Sequence, residues 1–440
     1  MAYNIESFCP ELWSQLEIDF SGDFKLCCLA NLSDDFGMAR DDNDRVMNIL
    51  TDSIEEAINS KTHKEHRLWL KDNIKPTRCR NCYDSEESTR RGGWPGISKR
   101  QRVLTQTSPT ISEYVTIQNV NEHTNDDGSV NSKVVNLDIR FSNLCNQKCI
   151  MCGPRDSSLW YEDYIKISKI GHKIQKGKYK IYPFEKDNHG KLHMQGFDEW
   201  WNNPIWWEKF DKISSDLRYI YFTGGEPLLV PAMQECLDRL ITKGYAKNIQ
   251  LRYDTNLSVL NNKIIDKWKN FKKVILCISL DDTNERFNLI RFPGNYNKFI
   301  DNLDLLVKNK IPIAYLSGCI GVASPYSVQR VIEIAAQYDI EAYLRFLEIP
   351  THFDIRHFPK NAKLEIIENL EKFDYDYRYK KWVSSEINIL KKYLDVENQK
   401  EIQEFVRVMD ILDVSRGTNW RHTLSDVTDL IKRHCKDVNL

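Results

Sequence analysis

The chain has 440 residues, with 63 acidic and 62 basic side chains that give a formal net charge of −1. A chain of this length can form two or three domains with a sizeable core. Its balanced charge excludes the strongly basic surfaces of proteins that bind nucleic acids or anionic membranes.

The cysteines and the N-terminus indicate the compartment. Twelve cysteines are too few for a disulfide scaffold in a chain of this size. The stretch Met1–Glu6 lacks the basic and apolar regions of a secretory signal peptide, and no apolar run approaches the ~18–20 residues that span a bilayer. We therefore predict a cytoplasmic protein with reduced, metal-binding cysteines and no nucleic-acid or membrane partner.

A β-hairpin is predicted near the N-terminus. The segment Leu16–Leu26 contains two short strand-like runs around the turn residues Ser-Gly-Asp, with Gly22 at the centre. Such a hairpin brings Cys9 and Cys27 towards each other.

A second pair of cysteines follows a predicted helical region at 43–74. Cys79 and Cys82 form a CxxC that is expected on a loop after Pro76. Four thiolates in two pairs suit a structural zinc site, and the residues alone leave this alternative open beside an iron–sulfur cluster.

A polar, irregular stretch comes next. The segment Asn121–Ser129 is predicted to be a linker or exposed loop. For the basic cluster Lys99-Arg100-Gln101-Arg102, a solvated helix face is favoured over a site for an anionic substrate.

Three further cysteines lie within eight residues after an alternating, strand-like segment at 134–141. Cys145, Cys149 and Cys152 are separated by three and two residues, on a loop at the C-terminal end of that strand. Structural zinc needs four ligands. Three thiolates would instead leave one iron of a [4Fe–4S] cube open for chemistry.

This loop resembles the signature of the radical S-adenosylmethionine (SAM) superfamily. The resemblance implies that the open iron is chelated by the amino and carboxylate groups of SAM. It also implies that one electron from the cluster cleaves SAM to a 5′-deoxyadenosyl radical, which abstracts a substrate hydrogen atom. The protein would supply binding, orientation and shielding.

The N-terminal cysteines resemble the twitch module, the half-length form of the SPASM auxiliary-cluster domain. The order Cys9, Gly22, Cys27 and then Cys79-x-x-Cys82 matches that pattern. The chain departs from it in position, because the module usually follows the barrel and here precedes it. The resemblance implies an auxiliary [4Fe–4S] cluster on these four cysteines, with Cys28 as an alternative to Cys27.

Further strands and helices alternate along the chain, which predicts a parallel α/β sheet with right-handed crossovers. With the strand before Cys145, six strands give a partial (β/α)6 radical SAM barrel, accompanied by a small N-terminal iron–sulfur module and a C-terminal helical region. The further strands are Leu217–Phe222, Ile249–Tyr253, Val274–Leu280, Ile313–Ile320 and Glu341–Leu347.

Motifs stand at the carboxyl ends of these strands, where related barrels place their chemistry. Paired glycines allow close approach of backbone to a ligand, and Arg291 suits a carboxylate. The superfamily resemblance implies a SAM site formed by Gly224, Gly225, Glu226, Pro227, Asn256, Ser279, Asp281 and Arg291.

The predicted organisation has four parts. We expect a twitch-like auxiliary-cluster module at 1–95, a linker at 96–133, the radical SAM barrel at 134–350 with an insertion at 166–212, and a helical cap at 351–440. The insertion carries a tryptophan-rich run from Trp200, which is expected to pack on the outside of the barrel rather than line a pocket.

The resemblance implies a radical SAM oxidoreductase with two [4Fe–4S] clusters and SAM. An auxiliary cluster that carries electrons favours net oxidation, by dehydrogenation or bond formation, of a small metabolite or a peptide. A flavodoxin- or ferredoxin-type protein would donate electrons. Two alternatives stay open, namely a redox-neutral rearrangement and a non-catalytic iron–sulfur or zinc sensor.

Overall fold

The computed structural model describes residues 3–30, 37–90, 98–104, 114–131, 133–169, 183–186, 190, 192–196 and 199–440, with backbone alone at 88–90. Its strands are β1 Gln15–Ile18, β2 Phe24–Lys25, β3 Asn136–Arg140, β4 Phe184–Lys186, β5 Leu192–Met194, β6 Tyr219–Thr223, β7 Gln250–Thr255, β8 Lys273–Ser279, β9 Ile313–Ile320 and β10 Ala342–Phe346.

The α-helices alternate with the later strands and continue to the C-terminus. They are α1 Glu11–Ser14, α2 Ile54–Ile58, α3 Lys61–Lys71, α4 Arg80–Arg90, α5 Lys99–Leu104, α6 Trp160–Lys169, α7 Pro204–Ile213, α8 Pro231–Thr242, α9 Asn262–Trp268, α10 Asn284–Ile290, α11 Tyr296–Lys308, α12 Ser327–Gln337, α13 Lys360–Glu371, α14 Tyr377–Lys392, α15 Gln399–Arg416, α16 Trp420–Thr423 and α17 Ser425–His434. Short 3-10 helices cover Thr77–Cys79, Val120–His123, Trp200–Asn202, Pro227–Leu229, Ala246–Asn248, Thr351–Phe353 and Ile355–His357.

One sheet organises the fold. Its strand order is β10-β9-β8-β7-β6-β3-β1-β2, and six of these strands, β3, β6, β7, β8, β9 and β10, pair in parallel. Apolar and polar residues alternate along the strands, so that the apolar side chains share the outer face of the sheet. In β7, for example, Leu251 and Tyr253 are fully buried, whereas the polar Arg252 and Asp254 point to the opposite face. The predicted α/β class and partial barrel are confirmed.

The N-terminal hairpin is confirmed and extends the barrel sheet. Strand β2 pairs with β1 in antiparallel fashion. Strand β1 pairs in parallel with β3, which places Gln15 opposite Asn136 and Glu17 opposite Asp138. The N-terminal segment is therefore joined to the barrel by backbone hydrogen bonds as well as by the chain.

Two predictions on the N-terminal region were wrong in detail. The region at 43–74 is helical only in α2 and α3, and Ser53 begins α2 with a capping box to Glu56. The CxxC is not on a loop, because Cys79 ends a 3-10 turn and Cys82 lies in the first turn of α4.

The basic cluster at 99–102 does not form a solvated face. Arg100 is 5% exposed and pairs with the buried Glu86. Lys99 is turned inwards, and its ammonium group lies 3.1 Å from the Glu11 carboxylate. Sequence patterning missed this because the acidic partners come from distant segments.

The tryptophan-rich run packs as predicted. Trp200 stacks on Phe141 with ring centroids 5.5 Å apart, and Trp206 contacts both rings edge-on. Trp200 also donates a hydrogen bond of 3.1 Å to the Phe20 carbonyl. The run thus belongs to the core.

The C-terminal residues form helices α13 to α17. Helix α15 carries Arg416 back to α6, where it pairs with Asp163 at 2.9 Å. In the part of the chain that the structure describes, no helix combines the length and the apolar character that a membrane span needs.

Candidate iron–sulfur and SAM site

The structure brings the three cysteines after β3 together. The Cys149 and Cys152 thiols lie against each other, and their interaction lowers the pKa of Cys149 and raises that of Cys152. Burial raises the pKa of Cys145 to about 12, and the nearby Cys149 adds to this effect. The loop is anchored to the end of α10, since the Ile150 amide donates to the Ile290 carbonyl at 2.8 Å.

A buried aromatic and a buried cation support this loop from behind. Trp160 donates a hydrogen bond of 2.9 Å to the Cys149 carbonyl. The Arg416 guanidinium lies 4.9 Å from the Trp160 ring and 5.4 Å from the Phe292 ring. The C-terminal helices therefore contribute to the environment of the three sulfurs, and no local sequence pattern signals this contribution.

The four N-terminal cysteines also converge. Cys9, Cys27, Cys79 and Cys82 all line one small cavity of about 30 Å³. Most of the remaining wall is apolar and includes Leu12, Leu26, Leu29 and Ala30. Cys28 lines a different, larger cavity. The structure thus groups the four predicted cysteines around one cavity, and Cys28 lies beside it.

The cysteine sets are less compact than the ligands of a single zinc ion. Sulfurs around a single zinc lie ~3.8 Å apart, given Zn–S bonds of ~2.3 Å. Among the described residues, the one group of three His, Cys, Asp or Glu ligand atoms within 4.8 Å of one another is Glu17, Cys28 and Asp138. Neither cysteine set is that compact in the part of the chain that the structure describes.

Burial keeps the N-terminal thiols protonated when no metal is bound. It raises the pKa of Cys9, with a further contribution from the charge of Glu11, and raises that of Cys79 to about 12. Metal or cluster binding must displace these protons.

The paired glycines lie against the cysteine loop. A Cβ on Gly225 would stand 2.3 Å from the Leu144 carbonyl oxygen, and Gly224 has a φ of +126°. The Gly225 amide donates to the Ser142 carbonyl at 3.0 Å. These glycines therefore allow two backbone segments to pack together beside Cys145.

Glu226 connects two strand-end loops. Its carboxylate accepts hydrogen bonds from the Thr255 hydroxyl at 2.8 Å and the Asn256 amide at 2.7 Å. Burial raises its pKa to about 7. The Asn256 side-chain amide lies 3.7 Å from the Cys145 sulfur. The structure thus places Glu226 behind Asn256 and places Asn256 at the cysteines.

Ser279 is the last residue of β8, and Asp281 and Arg291 follow this strand. The Asp281 carboxylate accepts from the Cys319 amide at 2.9 Å and pairs with Arg291 at 2.7 Å. The Arg291 Nε atom is buried without a hydrogen-bond partner among the described residues. Ser279 lines the large cavity.

The large cavity occupies about 660 Å³ inside the barrel. Its wall mixes apolar and polar side chains, and the polar ones include Asp138, Tyr221, Arg252, Asp254, Ser279 and Arg345. The sequence signalled part of this wall, because β7 alternates polar and apolar residues. The pairing of Arg252 with the Tyr315 hydroxyl at 2.7 Å was not predictable.

The two cavities share a wall. Glu11, Leu29 and Cys82 line both the small cysteine cavity and the large barrel cavity. A group bound by the four N-terminal cysteines would therefore lie next to any molecule bound in the barrel.

Comparisons with known families agree with this geometry. The family model described as the radical SAM superfamily matches residues 207–335. The chain carries a radical SAM domain. A second model, described as an iron–sulfur cluster-binding domain of the SPASM type, matches residues 9–83. These two matches imply [4Fe–4S] clusters and SAM as cofactors, and the resemblance predicted from the motifs is confirmed.

Similar solved structures are distant. Native anSMEcpe with bound AdoMet is 18% identical, with a TM-score of 0.35, over 54% of this chain and 59% of that one. Streptococcus suis SuiB bound to precursor peptide SuiA is 10% identical, with a TM-score of 0.35, over 74% and 65%. The chain therefore spans less than two thirds of either protein. No curated protein matches the chain in sequence.

Proposed function

We propose that this radical SAM protein oxidises a substrate held in the barrel cavity and uses a second cluster as the electron acceptor. The observation that carries the proposal is that Glu11, Leu29 and Cys82 line both the barrel cavity and the small cavity of the N-terminal cysteines. This contact favours net oxidation over a redox-neutral rearrangement, because an oxidation needs an acceptor beside the substrate.

The first cluster is assigned to Cys145, Cys149 and Cys152. A [4Fe–4S] cluster held by these three cysteines would supply the electron for reductive cleavage of SAM to a 5′-deoxyadenosyl radical. The residues around this site would bind and orient the cluster and SAM. Asn256 faces the Cys145 sulfur, and Trp160 fixes the backbone at Cys149.

SAM is assigned to the strand-end loops beside these cysteines, formed by Gly224, Gly225, Glu226, Pro227, Asn256, Ser279, Asp281 and Arg291. The unpartnered Nε atom of Arg291 suits the SAM carboxylate. Gly224 and Gly225 keep the neighbouring loop close, and Glu226 holds Asn256 through its backbone amide.

The second cluster is assigned to Cys9, Cys27, Cys79 and Cys82. Four thiolates complete the ligation of a cube, so this cluster would supply an electron acceptor and not a substrate site. We place Cys27 rather than Cys28 in this ligand set, because Cys27 lines the small cavity together with the other three cysteines and Cys28 does not.

The substrate is assigned to the polar barrel cavity, whose volume is in the usual range for ligand sites. Arg345 is exposed to this cavity and has no carboxylate within ion-pair distance among the described residues. A small metabolite or peptide side chain with an anionic group fits that wall. We also propose a flavodoxin- or ferredoxin-type electron donor and a cytoplasmic location.

Reductive cleavage of SAM tests the assignment. Anaerobically purified protein with dithionite and SAM should release 5′-deoxyadenosine, which chromatography quantifies. The variant Cys145→Ala/Cys149→Ala/Cys152→Ala should release none while keeping about four irons on the other cysteines. Formation of 5′-deoxyadenosine by this variant at the wild-type rate would overturn the assignment.

A further inference from the structure

Lys99 stands at the wall between the two cavities. It is the first residue of α5, and its side chain is 14% exposed. Its ammonium nitrogen lies 3.7 Å from the Cys27 sulfur and 3.4 Å from the Cys28 sulfur. It also donates a hydrogen bond of 3.0 Å to the Gln15 side chain. The fold thus directs one cation at the sulfur of an assigned cluster ligand.

Two carboxylates hold this ammonium in place. Glu11 lies 3.1 Å from the Lys99 nitrogen, and Asp138 lies 3.5 Å from it on the barrel side. The side chains of Glu11 and Asp138 are 3% and 1% exposed. Glu11 also approaches the Cys27 sulfur, at 3.8 Å. The same sulfur therefore has a fixed positive and a fixed negative neighbour, both shielded from solvent.

Charges so placed act on the potential of an iron–sulfur cluster. One-electron reduction adds one negative charge to the cluster, without any bond or proton change. A nearby cation stabilises the reduced state, and a nearby anion destabilises it. Both effects are strong where water is excluded, and hydrogen bonds to cluster sulfurs shift potentials in the same way.

We propose that Lys99 is a positioning residue that raises the reduction potential of the auxiliary cluster through Cys27, and that Glu11 opposes it. The proposal rests on the proposed function, since it requires a cluster on Cys9, Cys27, Cys79 and Cys82. Its consequence is a better electron acceptor at the face that meets the barrel cavity.

The test isolates the auxiliary cluster. In the full chain with Cys145→Ala/Cys149→Ala/Cys152→Ala, the remaining cluster is titrated with dithionite and followed by electron paramagnetic resonance. Adding Lys99→Gln should make reduction harder, with about tenfold less reduced cluster at a fixed potential, which equals 59 mV for one electron. Adding Lys99→Arg instead should keep most of the wild-type potential.

Glu11→Gln should shift the reduction potential of the auxiliary cluster in the opposite direction. Removing this anion should make reduction easier, which a purely structural role of the Lys99–Glu11 pair would not produce. The matched control is Arg80→Gln. Arg80 is next to Cys79 in sequence but is 64% exposed and pairs with Asp84, so solvent screens its charge and the potential should stay unchanged.

The outcomes distinguish this inference from the proposed function. If Lys99→Gln loses iron, the reduction potential of its cluster cannot be measured. The reduction potential of the Glu11→Gln protein then tests the inference. An auxiliary cluster whose potential is unmoved by Glu11→Gln and by Lys99→Gln contradicts the inference alone. A background protein without any cluster contradicts the proposed function and the inference with it.

Discussion

Arg291 and Asp281 form a buried ion pair with a separation of 2.7 Å. Asp281 is held in turn by the Cys319 amide, so the arginine is fixed at the carboxyl end of β8. Burial alone would lower the pKa of Arg291, but the negative charge of Asp281 raises it, and the guanidinium therefore stays charged. One nitrogen of this cation remains without a partner among the described residues.

This pair leads to a prediction on SAM affinity. Arg291→Ala should weaken SAM binding ten- to a hundredfold, because a hydrogen bond to a charged group is worth about 1.5–3 kcal/mol. Equilibrium dialysis with radiolabelled SAM measures the change. Arg239→Ala is the control, since Arg239 pairs with Glu235 and Asp211 on an outer helix. Equal affinities for both variants would remove Arg291 from the site.

Gly225 leads to a prediction on the cysteine loop. The Cβ of Gly225→Ala would meet the Leu144 carbonyl oxygen at 2.3 Å, so the segment before Cys145 must move. We expect the variant to lose about four irons, the content of one cube, and to lose SAM cleavage with them. Iron analysis after anaerobic reconstitution measures this.

The control for that change is Gly417→Ala, at the end of α15. Gly417 has a φ of +67°, and a Cβ at this position would meet no described atom within 4 Å. The substitution should cost about 1–2 kcal/mol of stability through left-handed strain, with iron content unchanged. Full iron in Gly225→Ala would show that the close packing is not needed.

The CxxC leads to a prediction on the role of the second cluster. Cys79→Ala/Cys82→Ala should lose about four irons yet still cleave SAM in the presence of dithionite, because the other three cysteines are untouched. It should lose most of the oxidised product once a substrate is found. Normal product yield with four fewer irons would make the N-terminal module purely structural.

Glu386 leads to a prediction on pH and stability. It is fully buried in α14, and neither carboxylate oxygen has a hydrogen-bond partner among the described residues. Burial raises its pKa well above the usual value. The folded state thus keeps a proton that the unfolded state loses above about pH 4.3. Stability must fall as pH rises through that point, until the folded pKa is reached.

Glu386→Gln should remove this decline. Its melting temperature should exceed that of the wild type more at pH 8 than at pH 5, because only the wild type must bury a proton at the higher pH. Glu368→Gln is the control, since Glu368 is 69% exposed. Parallel shifts of Glu386→Gln at both pH values would contradict this reading of the buried carboxyl group.

The barrel could be predicted from sequence, and the connections between its parts could not. Alternation and turn residues marked all six strands, and cysteine spacing marked both thiol sets. The buried position of Lys99 could not be predicted, because its partners Glu11, Cys27 and Asp138 come together only when β1 pairs with β3. The contribution of Arg416 could not be predicted, because this residue reaches the cysteine loop from a helix near the C-terminus, far from that loop in sequence.

The prediction that the CxxC lies on a loop was wrong for a local reason. Cys79 and Cys82 were expected on a loop because proline and polar residues surround them. The chain instead begins α4 within the CxxC, which gives the two thiols helical spacing towards the cavity.

The central claim is that one cluster has an open iron and the other does not. Electron paramagnetic resonance of the reduced, anaerobic protein with and without SAM tests it most directly. We expect two signals, of which SAM alters only the one that disappears in Cys145→Ala/Cys149→Ala/Cys152→Ala. A SAM-induced change in the signal that persists in that variant would contradict the claim.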